Sequence, residues 1–152
     1  MIKSYKLDKI FGPVSTSSGI FLIISGLIAT YFSFIGLVLI LIGFFLGFSN
    51  TGTTINIEKK RIRFNNNIFG VIPIGKWVKI QDDMKIGIVK SNKKWRTYSR
   101  SNRIIDTQIS DYRIFLFDSE GKKIMPICKS NNLDVLKNDL MNFNKELNIS
   151  LL

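Results

Sequence analysis

The sequence predicts a membrane α-helical hairpin followed by an α+β soluble domain, an antiparallel β-roll or barrel capped by a C-terminal helix. Three observations carry this expectation. Residues 15–48 contain no charged side chain. Residues 51–128 alternate apolar and polar side chains in short runs separated by turn residues. Leu133, Leu136, Leu140, Phe143 and Leu147 then recur at the spacing of a single helix face. The expected organisation is a basic segment and two-helix transmembrane hairpin over 1–50, and a cytoplasmic β domain with its helix over 51–152.

The apolar run is too long for one crossing. From Gly19 to Phe48 a single helix would reach about 45 Å, against a hydrocarbon core of about 30 Å. A break at Thr30, Tyr31, Phe32 and Ser33 leaves two halves, each at the short end for a spanning helix. Charge agrees with two crossings. Lys3, Lys6 and Lys9 precede the run, and Lys59, Lys60, Arg61 and Arg63 follow it, so the positive-inside rule puts both flanks in the cytoplasm. The expected location is the bacterial inner membrane, with both termini cytoplasmic. Gly19 and Gly26 share heptad spacing, as do Gly36 and Gly43, and Gly43 with Gly47 forms a GxxxG. These five glycines are the expected helix-packing residues, within the hairpin or in self-association, because missing side chains let backbones approach in lipid. Tyr31 and Phe32 suit the far interface. The run is far longer than the apolar part of a secretory signal and ends in Phe44, Phe45, Leu46, Gly47 and Phe48, with no small-residue cleavage site.

Composition excludes several chemistries. The chain has 152 residues, a net charge of +11, one cysteine and no histidine. Without histidine there is no Ser-His-Asp or Cys-His nucleophile and no histidine metal site, so no enzyme, metal or cofactor is expected. Cys128, inside the apolar run IMPIC, reads as a small buried hydrophobe. About 100 residues remain outside the hairpin, enough for one small core.

Taken in order, residues 1–12 mix Ile2, Tyr5, Ile10 and Phe11 with three lysines and suit a segment lying among lipid headgroups. Pro13 marks the start of the first helix. After the polar residues 49–52, Ile55 and Ile57, then Ile62 and Phe64, alternate with polar side chains, giving two strands around a turn at 58–60. Further strands are expected at 74–80, 84–89, 94–99, 103–109, 112–117 and 123–128. The closing helix has Asn131, with Asp134 three residues on, as its expected cap.

One soluble stretch stands out. Between Met84 and Ile105 lie Lys85, Lys90, Lys93, Lys94, Arg96, Arg100 and Arg103, with Trp95 and Tyr98 among them and no acid. Lys90, Lys93, Lys94, Arg96, Arg100 and Arg103, together with Lys59, Lys60 and Arg61, are the candidate residues for binding anionic ligands or lipid. The same pattern also describes a solvated basic face. Gly70 and Gly75 match neither phosphate-loop pattern, Asp82 and Asp83 read as turn residues, and Trp77 reads as a core or interface residue.

The element order over 51–149 resembles the bacterial pleckstrin-homology-like domains of small membrane proteins. The pair TINIEKKRIRF, the element Phe69, Gly70, Gly75, Lys76 and Trp77, the run SRSNR and the closing helix also resemble short two-helix membrane proteins of Bacteroidetes type. The closing helix lacks the tryptophan of eukaryotic pleckstrin-homology domains, so their phosphoinositide site does not transfer. The resemblance implies a membrane-tethered β domain without catalysis. Two functions follow as expectations. One is a non-enzymatic protein whose cytoplasmic domain binds a protein partner or membrane lipids. The alternative is a cyclic-nucleotide-gated membrane effector of antiviral defence, with the nucleotide at the basic stretch.

Overall fold

The structure, a computed structural model, describes residues 1–12, 14–98 and 104–152. Pro13 and the SRSNR run therefore lie outside the described residues. The chain is α+β, in the order β1 (Ile2–Lys9), α1 (Ser15–Phe32), α2 (Ile35–Phe48), β2 (Asn50–Asn56), β3 (Arg61–Ile68), β4 (Ile72–Ile74), β5 (Trp77–Lys79), β6 (Lys85–Tyr98), β7 (Ile104–Phe117), β8 (Lys123–Ser130), α3 (Leu133–Leu147) and β9 (Ser150–Leu151). One sheet runs β1-β2-β3-β4 with β5 also on β3, and the other runs β8-β7-β6-β9. Contacts divide the chain into two compact units. One holds Met1–Tyr5, Thr54–Ile62 and Val78–Leu152, and the other holds Lys6–Thr53 and Arg63–Trp77.

In the unit that contains α3, β6 and β7 form one continuous ribbon. It is in register from Lys85↔Phe117 to Tyr98↔Ile104. The strands expected separately at 84–89 and 94–99, and at 103–109 and 112–117, are thus fused. The polar residues between them pair across the ribbon instead of turning: Ser91 faces Asp111, Asn92 faces Ser110, and the Ser110 hydroxyl bonds to Asn92 Oδ1 at 2.7 Å. Strand β8 lines the other edge of β7, with two irregularities in register and Pro126 within it. Both features blunt an exposed edge.

Helix α3 packs on β6, β7 and β8. Its apolar stripe buries Leu136, Phe143 and Leu147 against Ile86, Ile114, Leu116 and Ile127, all of these at most 2 % exposed. The cap is Asn132 rather than Asn131: its Oδ1 accepts from the Asp134 amide at 2.8 Å, the Asx spacing that satisfies an orphan donor of the first turn. Asn148 ends the helix in the left-handed region at φ 52°, and Asn144 Nδ2 donates to the Ile149 carbonyl at 2.7 Å. Ser150 and Leu151 then run parallel to Lys85 and Ile86, and the Leu152 amide donates to the Ile86 carbonyl.

Residues 2–9 form a strand, which pairs with β2. The Ile57 amide donates to the Met1 carbonyl at 3.1 Å, and the Ile10 amide donates to the Ser49 carbonyl at 3.3 Å, so β1 lies antiparallel to β2. Its first half reaches α3. Tyr5 meets the Phe143 ring edge-on at 5.6 Å between centroids, and Lys3 Nζ reaches both Glu146 oxygens at 2.7 and 2.8 Å. Burial pushes the Tyr5 phenol up to about 12, and the Cys128 thiolate and the Asp139 and Glu146 carboxylates add to the shift.

The strand expected at 74–80 is split into β4 and β5 at Gly75. A Cβ there would lie 2.0 Å from the Phe64 carbonyl oxygen, so the chain passes too close to β3 for any other residue.

Because β1 covers part of α3, a chain reduced to 51–152 should be markedly less stable than one in which a short Gly/Ser loop replaces 11–48 and keeps β1 beside β2. Urea unfolding followed by circular dichroism measures both. Equal midpoints would show that β1 adds nothing to this fold.

Candidate functional site

Helices α1 and α2 pack antiparallel through glycine. A Cβ on Gly19 would lie 2.5 Å from Gly47 Cα, one on Gly26 2.8 Å from the Gly36 carbonyl oxygen, one on Gly36 2.2 Å from the Thr30 amide, and one on Gly43 2.7 Å from the Gly19 carbonyl oxygen. Gly47 is looser, at 3.4 Å from Gly19 Cα. All five glycines therefore sit at the helix–helix contact, and a side chain at any of the first four would force the helices apart. The helices break at Ser33 and Phe34, at the edge of the expected break.

The ends of the hairpin are bonded to one another. Besides the Ile10–Ser49 bond, the Thr51 hydroxyl donates to the Asp8 carbonyl and accepts from the Asp8 amide, both at 3.1 Å. Ser49 Oγ accepts the Phe69 amide at 3.2 Å, and Asn67 Nδ2 donates to Asn50 Oδ1 at 2.9 Å. Phe45 contacts the rings of Phe11 and Phe69, with centroids 5.2 and 5.9 Å away. Lys9 Nζ donates to Thr16 Oγ1. A cleft of about 280 Å³ opens here, lined by residues 6–9 (Lys6, Leu7, Asp8 and Lys9) and by Gly47, Phe48 and Asn50.

Outside the glycine seam the hairpin is apolar and uncovered. Phe21, Leu27, Ile28, Tyr31, Phe34 and Ile35 are between 61 % and 87 % exposed. By length and composition α1 is able to cross a membrane, and α2 is a shorter apolar helix. Only 17 % of α1 is buried, which is unlike the core helix of a soluble protein. An apolar surface of this extent marks a contact with lipid or protein.

The basic candidates are spread over several places. Lys90, Lys94 and Arg96 occupy positions of one parity on β6 and Lys93 the other, so the pleat sends Lys93 to the opposite face. Arg96 has Asp106 as its register partner, an acid one residue beyond the stretch that reads as acid-free. Arg100 and Arg103 lie outside the described residues, as do the side chains of Trp95 and Tyr98. Lys59 and Lys60 occupy the turn from β2 into β3 and Arg61 opens β3, and Lys60 Nζ is 3.5 Å from Asp82. Glu58, in the same turn, pairs with the amino-terminal ammonium, whose hydrogen bond and charge lower its carboxyl below the ordinary range.

A buried ion pair is the feature that sequence reading misses. Arg113 Nε and Nη2 donate to Asp111 Oδ1 and Oδ2, each at 2.6 Å, with both side chains 3–4 % exposed. Two residues apart on a strand, they share a face, which makes the bidentate geometry possible. The signal available in the sequence was the Asp-x-Arg spacing, once 104–117 is taken as a single strand. Trp77 is 42 % exposed rather than in the core, with the Arg63 guanidinium 4.7 Å from its ring centroid. Cys128 is buried, and burial pushes its thiol up to about 12, with the Asp139 carboxylate adding to the shift.

No family model, curated protein or solved structure matches this chain.

Replacing Gly36 by Leu should separate the helices, because its side chain meets the Thr30 amide and the Gly26 carbonyl, whereas Gly47→Ala should be tolerated. Distances between spin labels on the two helices in detergent would report it, and unchanged distances in Gly36→Leu would refute the glycine seam. Asp111→Asn should cost about 3–5 kcal/mol in chemical unfolding, since it leaves the Arg113 charge buried beside a neutral amide. A loss below about 1 kcal/mol would show that the pair is dispensable.

Proposed function

We propose that the protein is a non-enzymatic membrane protein of the bacterial inner membrane. The hairpin lies in lipid, and the strands hold a pleckstrin-homology-like domain at the cytoplasmic surface, where it binds lipid headgroups or a protein partner. One observation carries the reading: an uncovered apolar hairpin whose two ends are bonded together between β1 and β2. Such a hairpin must begin and end on the same side of a bilayer, which agrees with lysines before it and basic residues after it. The likeness to pleckstrin-homology-like domains rests on element order, with antiparallel strands in two sheets followed by a C-terminal helix. The nucleotide-gated alternative has less support, because the described basic side chains of β6 are divided between two faces.

Expressed in bacteria, the full chain should stay with the membrane fraction in high salt and in alkaline carbonate and leave it only in detergent. Reporter fusions at both ends should give the cytoplasmic signal. Release by salt alone would reduce the hairpin to a soluble contact surface, and opposite signals at the two ends would exclude the arrangement.

A further inference from the structure

The hairpin is short for a double crossing. Helix α2 has 14 residues, a rise of about 21 Å. Helix α1 is longer, but its first turn is Ser15, Thr16, Ser17 and Ser18, and its apolar part starts at Gly19, opposite Gly47. From there to Phe32 the rise is again about 21 Å. The hydrocarbon core is about 30 Å thick.

The apex lacks what a loop in water would carry. Tyr31, Phe32, Phe34 and Ile35 are 68–87 % exposed, and Ser33 is the only other side chain between them. The nearest charged residues in the sequence are Lys9 and Glu58, both beyond the feet of the hairpin. The turn also supplies its own hydrogen bonds. The Ser33 amide donates to the Ala29 carbonyl at 2.9 Å, the Ile35 amide to Ser33 Oγ at 3.3 Å, the Gly36 amide to the Ser33 carbonyl at 3.1 Å and the Leu37 amide to the Phe34 carbonyl at 3.1 Å. Thr30 Oγ1 donates to the Gly26 carbonyl at 2.7 Å. Unsatisfied backbone groups are what exclude ordinary loops from hydrocarbon, and these bonds reduce their number at the turn.

At the other end, Lys6, Asp8 and Lys9 line the cleft beside Gly47 and Phe48, and the two lysines suit the level of phosphate headgroups at the feet. Measured from that level, the apex ends inside the hydrocarbon.

We infer that the hairpin enters the bilayer from one side and turns round within it, in place of two crossings, so that Ser33 and Phe34 do not meet the opposite aqueous phase. This rests on the reading of the hairpin as a membrane element. The surface it fits is therefore one leaflet of a bilayer together with the inner part of the other.

The test uses the full chain with Cys128→Ala and a single new thiol, Phe34→Cys, whose side chain makes no hydrogen bond to lose. Tyr31→Cys is the second variant, in case the first misfolds. Each is added to sealed vesicles of phosphatidylethanolamine and phosphatidylglycerol, floated on a density gradient, and treated with a membrane-impermeant maleimide outside the vesicles or trapped in their lumen. Lys9→Cys at the foot is the outside control. The inference expects flotation, labelling of Lys9→Cys from outside, and no labelling at the apex from either side until detergent is added. Labelling of the apex from the lumen overturns it and leaves the membrane reading standing, as a spanning hairpin. Failure to float, or apex labelling from outside, overturns both.

Discussion

Two neighbouring strands lie about 4.8 Å apart, and that spacing is imposed on the feet of the hairpin because β1 leads into α1 and α2 leads into β2. Helices with ordinary side chains at their contact pack 8–10 Å apart, about twice that distance. Glycine reconciles the two. Gly19 and Gly47 meet where the helices leave the strands, and Gly43, Gly26 and Gly36 continue the close contact to the turn. The same seam leaves the larger apolar side chains pointing outward, so the uncovered apolar exterior and the bonded feet go with a single packing arrangement.

Much of this was legible in the sequence, because both helical regions rest on local patterns. The charge-free run and the leucine stripe of α3 each declare themselves within about 30 residues. The glycine spacing pointed to a helix face but was silent about the partner. Only the structure shows that Gly19 faces Gly43 and Gly47 within the same hairpin. Strand β1 was not legible, because its lysines are distributed over both parities and its partner β2 follows only after both helices. The cap missed by one residue for a simpler reason, since Asn131 and Asn132 are adjacent and only geometry separates them.

The candidate site was less legible than the fold. A count of basic residues between Met84 and Ile105 carries no information about faces until it is known whether a turn lies among them. Once β6 is one strand, parity moves Lys93 away from Lys90, Lys94 and Arg96, and register brings Asp106 opposite Arg96. The same continuity makes Asp111, which the strands expected at 103–109 and 112–117 leave between them, half of a buried ion pair. Both revisions have one cause. Polar residues at 91–93 and 110–111 imitate a break, but pairing across a long ribbon satisfies them as well as a turn would.

The position of β1 also orders events during synthesis. It leaves the ribosome before its partner exists, and at 5–20 residues per second the roughly 40 residues to β2 take about 2–8 seconds. For that interval β1 is a lone strand that hydrophobic pairing cannot hold, and Lys3, Lys6 and Lys9 give it the charge that keeps such a segment in solution. The hairpin emerges complete within the same interval. Its helices close on each other through local contacts, while β1 must wait for a distant one. Closure of the helices therefore comes first, and pairing of β1 with β2 afterwards fastens the two feet of a hairpin already formed.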